Sequence, residues 1–113
     1  MESFKFLKSS PAISDYKVIE FKSSQFSRYY KIVVIFEDDS ILYAREYLSK
    51  NERNYSYHWQ DKHNNLLIRW DNAPFHKNIK TYPHHKHVKD KLQESPTLTL
   101  DKVIEEIEKR ISK

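Results

Sequence analysis

The sequence predicts an α+β domain over residues 1–113, a meandering antiparallel sheet of about five strands with a C-terminal helix packed on one face. Three observations carry this. Arg28 to Glu37 reads RYYKIVVIFE, a run of β-branched and aromatic residues. Short polar turns separate it from further alternating segments, so sequential strands fall beside one another. Near the end, Leu100, Val103, Ile104, Ile107 and Ile111 recur at spacings of three and four, the stripe of an amphipathic helix.

Each element follows from local chemistry. Phe4, Phe6 and Leu7 can begin a short helix, which Ser9, Ser10 and Pro11 interrupt. Val18, Ile19 and Phe21 fit a short strand over Lys17 to Phe21. In the next strand Tyr30, Ile32, Val34 and Phe36 share one side, and Tyr29, Lys31, Val33 and Ile35 the other. Both sides are largely apolar, which predicts a central strand with some cover on its second face. Glu37 to Ser40 is a turn in which Asp38-Asp39 fills the place of Asp-Gly. Ile41 to Leu48 returns as the antiparallel partner. Its Ala, Arg, Glu and Leu also suit a helix, and the hairpin linkage decides for a strand.

Asn51 to Asn54 makes another polar turn, and Tyr55 to Gln60 then alternates sharply. Tyr55, Tyr57 and Trp59 form one face; Ser56, His58 and Gln60 form the other. After a turn over Asp61 to Asn65, Leu66 to Trp70 runs back, with Trp70 expected in the core. The period breaks between Asp71 and Pro83, and Ser95-Pro96-Thr97 punctuates again. Thr99 suits the helix N-cap, Asp101 its first turn, and Glu105–Lys109 and Glu106–Arg110 favourable pairs one turn apart.

Composition excludes several functions. With no Cys, disulfide scaffolds, thiolate metal sites and thiol nucleophiles are absent. With no Gly, glycine-rich phosphate loops are absent too. No apolar run approaches the roughly 20 residues of a membrane span, and MESFKFLKSS lacks a signal-peptide core. A soluble cytoplasmic protein without membrane contact is expected, and no cofactor. The net charge of +4 is modest, but Lys62 to Lys91 holds seven Lys or Arg against two Asp, with five of the six histidines. Such a stretch fits a phosphate-binding patch or a solvated face.

Three places can hold chemistry. A hairpin centred on Asp61 to Asn65 sets His58 opposite or diagonal to Arg69, on strands that also carry Asp71. Imidazole moves protons near neutral pH and guanidinium holds a phosphate, as metal-free phosphodiester cleavage requires. The plainer alternative is an ordinary polar sheet face. In Tyr82 to His87, an extended chain puts His85 and His87 on one face, and a helix puts His84 and His87 there. Phosphate binding with Lys86 and Lys89, or acid–base work, ranks first; a structural loop follows. A metal site completed by Asp71, Asp90 or His76 comes last, since the spacing matches no specific metal motif. Arg69-Trp70-Asp71-Asn72-Ala73-Pro74 reads as a well-built turn from which Asp71 can orient an imidazole.

The ordered motifs YSYHWQD at 55–61, LLIRWDNAP at 66–74, TYPHHKHV at 81–88 and the SPTLTLDKVIEEI ending resemble the TumE-like toxin family. Residue by residue, the resemblance covers Tyr57, His58, Arg69 to Pro74 and Pro83 to His87. Phe75 departs from a histidine usual in that family, Tyr82 from a Phe, and the hairpin turns lack the family's Gly. The fuller N-terminal helix of family members is missing as well. The resemblance implies the toxin of a type II pair, neutralised by a cognate helix-turn-helix antitoxin. From residues and resemblance together, the leading expectation is a metal-independent endoribonuclease acting on RNA. Its site residues are His58, Arg69, Asp71, His84, His85, Lys86 and His87. A non-catalytic nucleic-acid or protein-binding domain and a metal-dependent nuclease are the alternatives. Open hairpin edges allow a homodimer without requiring one.

Overall fold

The computed structural model describes residues 4–72, 83–88, 91–95 and 98–112. A short helix α1 (Phe6–Ser9) precedes seven strands: β1 (Ile13–Ser23), β2 (Ser27–Phe36), β3 (Ile41–Ser49), β4 (Arg53–Gln60), β5 (Leu66–Asp71), β6 (His85–Val88) and β7 (Lys91–Glu94). The helix α2 (Leu100–Ile111) follows. All neighbours pair antiparallel in sequence order, an open meander from β1 to β7. The predicted α+β class and C-terminal helix hold. The sheet is larger than the five strands expected, because His85–Val88 and Lys91–Glu94 pair at its end. The first strand is also longer than Lys17 to Phe21, accommodating two register shifts along the way.

Period two sorts the sheet into two unlike faces. Tyr30, Ile32, Val34, Phe36, Leu42, Ala44, Tyr55, Tyr57, Trp59, Ile68 and Trp70 are buried in one cluster with Leu7 of α1 and with Leu100, Val103, Ile104 and Ile107 of α2. Burying each such aliphatic side chain contributes about 1.5–3 kcal/mol, so the α2 stripe anchors the helix more firmly than its surface pairs do. Glu106–Arg110 forms at 2.9 Å. Thr99 occupies the N-cap position, but its hydroxyl engages the Asp101 carboxylate rather than a backbone N–H. Arg53 pairs with Glu46 and donates to the Leu98 carbonyl at 2.5 Å, fixing the chain as it enters α2.

The second face is open. Tyr29, Val33 and Ile35 are half-buried and Lys31 is exposed, while both helices bury their apolar residues on the other side. The expected cover over β2 is therefore not found among the described residues.

The turns show how a glycine-free chain makes hairpins. Asp39 N donates to Phe36 O and Phe36 N to Ser40 O, with Asp39 at φ 67°. Asn64 N donates to Asp61 O and Asp61 N to Asn65 O, with Asn64 at φ 68°. Both are three-residue loops ending in a left-handed residue, a place Asp and Asn tolerate better than other side chains. Asp61 Oδ1 also accepts from the His63 and Asn65 amides, at 2.8 and 3.0 Å. This fixes the β4–β5 register on which the site depends.

Candidate functional site on the open sheet face

That register pairs His58 with Arg69 and Ser56 with Asp71; β6 then sets His87 beside Arg69 and His85 beside Asp71. Five of the seven expected site residues thus share the open face: His58, Arg69, Asp71, His85 and His87. Trp70, between Arg69 and Asp71, points into the core as expected. Asn72 extends the β4–β5 ladder with its side chain, accepting from Tyr55 N at 2.9 Å and donating to Arg53 O at 2.6 Å.

Asp71 is the hub. Its Oδ1 lies 2.7 Å from His85 Nε2, its Oδ2 accepts from Arg69 Nε at 3.2 Å, and His87 Nε2 stands 4.0 Å from Oδ2. Asp71 and His85 are both buried, at 6% and 2% exposure, whereas His87 and Arg69 reach the surface in part. His85 Nδ1 faces the Pro83 carbonyl at 2.9 Å, so backbone and carboxylate together hold the ring. The His85 and His87 rings meet edge to face, 5.0 Å apart. One ligand atom from each of Asp71, His85 and His87 falls within 4.8 Å of the others, a set able to hold a metal ion.

Arg69 links this cluster to His58, with Nη1 3.4 Å from His58 Nδ1. A guanidinium only donates, so Nδ1 is the acceptor in this contact. Partial burial and, next, the Arg69 charge both hold the His58 imidazole below its usual pKa, against a hydrogen bond with Gln60. A cleft of about 340 Å³ opens beside these residues across β2 to β5, lined also by Tyr43, Arg45 and Ser56.

His84 and Lys86 lie elsewhere. The chain here is extended, so His85 and His87 share a face and the helical option does not apply. Lys86 pairs with Trp70 and falls on the helix-bearing side, as does His84 one residue before the strand. There His84 Nδ1 bonds the Tyr55 hydroxyl at 2.9 Å and its ring stacks on Tyr55, which Arg53 covers from 4.2 Å. Burial first, then the charge of Arg53, lowers the His84 pKa. His76, Lys89, Asp90, Tyr82 and the Ala73-Pro74 end of the turn lie outside the described residues. Sequence reasoning passed over Tyr43, Lys31 and Arg45. The signal that finds them is register: Tyr43 stands opposite His58, Arg45 opposite Ser56, and Lys31 opposite Arg45.

An open antiparallel sheet, helices on one face and a histidine–carboxylate–arginine cluster on the other, defines a small α+β protein with a candidate site on an exposed sheet. Residues 3–111 match the family model described as Toxin TumE, and the chain belongs to that toxin family. No match was found among curated proteins or among solved structures. Among the described residues, no helix is long and apolar enough to cross a membrane.

Proposed function

We propose that this toxin cleaves RNA at the open face, as a single domain working in the cytoplasm and neutralised by a helix-turn-helix antitoxin. The observation that supports this best is the Asp71–His85–His87 cluster beside Arg69. Two imidazoles and a carboxylate suit zinc or manganese better than magnesium or calcium. A histidine whose Nδ1 faces a backbone carbonyl is oriented to offer Nε2, a common outer-sphere arrangement at metal sites. A divalent ion here would polarise a phosphoryl oxygen while Arg69 holds a second one. The same arginine sits 3.2 Å from the Asp71 carboxylate and opposes a cation, so modest affinity is expected.

A second reading is the metal-free route, favoured by the contact between His58 and Arg69. There His58 takes the 2′-hydroxyl proton at Nδ1, freed as Arg69 turns from it to the phosphate, while O2′ attacks phosphorus to give a 2′,3′-cyclic phosphate. His87 returns a proton to the departing 5′-oxygen. His85, buried and engaged at both ring nitrogens, acts through Asp71 in this route rather than on substrate.

The test is cleavage of end-labelled RNA by metal-stripped protein in EDTA and, separately, with zinc, manganese or magnesium. Cutting that needs a cation and disappears in His87→Ala supports the first route. Cutting in EDTA, lost in His58→Ala, supports the second. Intact RNA under every condition sinks the nuclease assignment and leaves a binding domain. Among the described residues no strand pairs with the outer edges of β1 and β7, which leaves room for a homodimer, to be read from light scattering.

A further inference from the structure

We infer that the cleft beside His58 is a subsite for single-stranded RNA, in which Tyr43 stacks one base while Arg45 and Lys31 hold the phosphates leading from it. The inference rests on the RNA-cleaving reading of this face. Two rows of side chains cross the sheet at right angles to the strands. One runs Lys31, Arg45, Ser56, Asp71, His85; the other runs Val33, Tyr43, His58, Arg69, His87. The cluster occupies the β5–β6 end of both rows, and the cleft occupies the other end.

Tyr43 is a large aromatic side chain left 41% exposed on a face that, among the described residues, carries no helix. Its ring centroid is 6.3 Å from that of His58, so a base stacked there carries its own sugar and phosphate to the reacting group. Arg45 and Lys31 are exposed, and among the described residues neither has a carboxylate within ion-pair distance. Arg45 and Arg69 stand two strands and one row apart, about 12 Å at the backbone, a gap their long side chains narrow to the reach of neighbouring phosphates. Aromatics on an open sheet with flanking cations form a sequence-tolerant platform for unpaired bases, and a duplex hides the base faces that such stacking needs.

The test uses a fluorescent 2′-O-methyl oligonucleotide, single-stranded or annealed, with full-length protein in EDTA, where neither cleavage route can run. Anisotropy should show the single strand binding and the duplex binding at least tenfold more weakly. Tyr43→Ala should weaken single-strand binding by about 5- to 150-fold, and Tyr43→Phe by less than about twofold. Lys31→Gln and Arg45→Gln should each lower the slope of log K against log salt by about 0.7. All are exposed sites, and circular dichroism checks their fold. If wild type cuts RNA yet Tyr43→Ala binds as tightly as wild type, the subsite is wrong and the nuclease reading stands. If wild type neither binds nor cuts RNA, both fall together.

Discussion

Asp71 and His85 face each other across β5 and β6, Oδ1 to Nε2 at 2.7 Å, with both side chains buried. A buried pair stripped of one partner leaves the other without compensation. Asp71→Asn should therefore cost about 3 kcal/mol or more in urea unfolding. A double-mutant cycle with His85→Asn should return a coupling of about 1 kcal/mol or more. Additive losses would mean that the contact is incidental to folding.

The same pair carries the metal prediction. The proton between Nε2 and Oδ1 is the one a cation would displace, so binding should release protons and weaken as pH falls. Zinc or manganese should raise the melting temperature of wild type by mass action. It should leave His87→Ala, which loses a half-exposed ligand, unchanged. Equal shifts in the two proteins would place the ion elsewhere.

His58 sets the expected pH behaviour. Burial and Arg69 depress its pKa below 6.5 in the folded chain, so the unfolded chain binds the proton more readily. That contribution to stability is fully present above the unfolded value and is lost as pH falls through the folded one. Stability should thus rise as pH climbs toward about 6.5 and then level off, less steeply in His58→Gln. Arg69→Gln removes a nearby positive charge and should move the His58 midpoint upward. Imidazole proton shifts in NMR read both midpoints, and a His58 midpoint at or above 6.5 in wild type would contradict this account.

Asn64 at φ 68° completes the loop that pairs His58 with Arg69. Asn64→Gly should be neutral or slightly stabilising, since Gly has no Cβ to crowd the left-handed conformation. Asn64→Val should cost about 1–2 kcal/mol from the strained backbone. Both variants lose the exposed bond that Gln60 donates to the Asn64 side chain at 2.9 Å, so the backbone alone separates them. Denaturant midpoints of the two variants decide the matter.

The strands with clear alternation were legible in the sequence because burial on one face imposes it. Tyr55, Tyr57 and Trp59 read directly as core, and with a turn of fixed length the His58–Arg69 pairing followed. The last two strands were not legible. His85–Val88 carries His, Lys and His, with Val88 at its end, and strand pairing through the backbone leaves no mark on such residues. Lys86 joins the expected site through its charge, beside Lys89, and through the family resemblance. Only the extended backbone, which the sequence did not decide against a helix, turns it to the other face. The long first strand was seen only where Val18, Ile19 and Phe21 gave it an apolar centre.

Because each strand pairs with the one made just before it, the sheet can assemble during translation in the order the ribosome delivers it. Its cover cannot: the four buried side chains of α2 come after every residue of the candidate site. A nascent chain therefore passes through a stage with its candidate site complete but the apolar underside of the sheet not yet covered by α2. A chain stopped before Leu100 should bind a hydrophobic dye and melt without cooperativity, so toxicity would begin only once synthesis has passed α2.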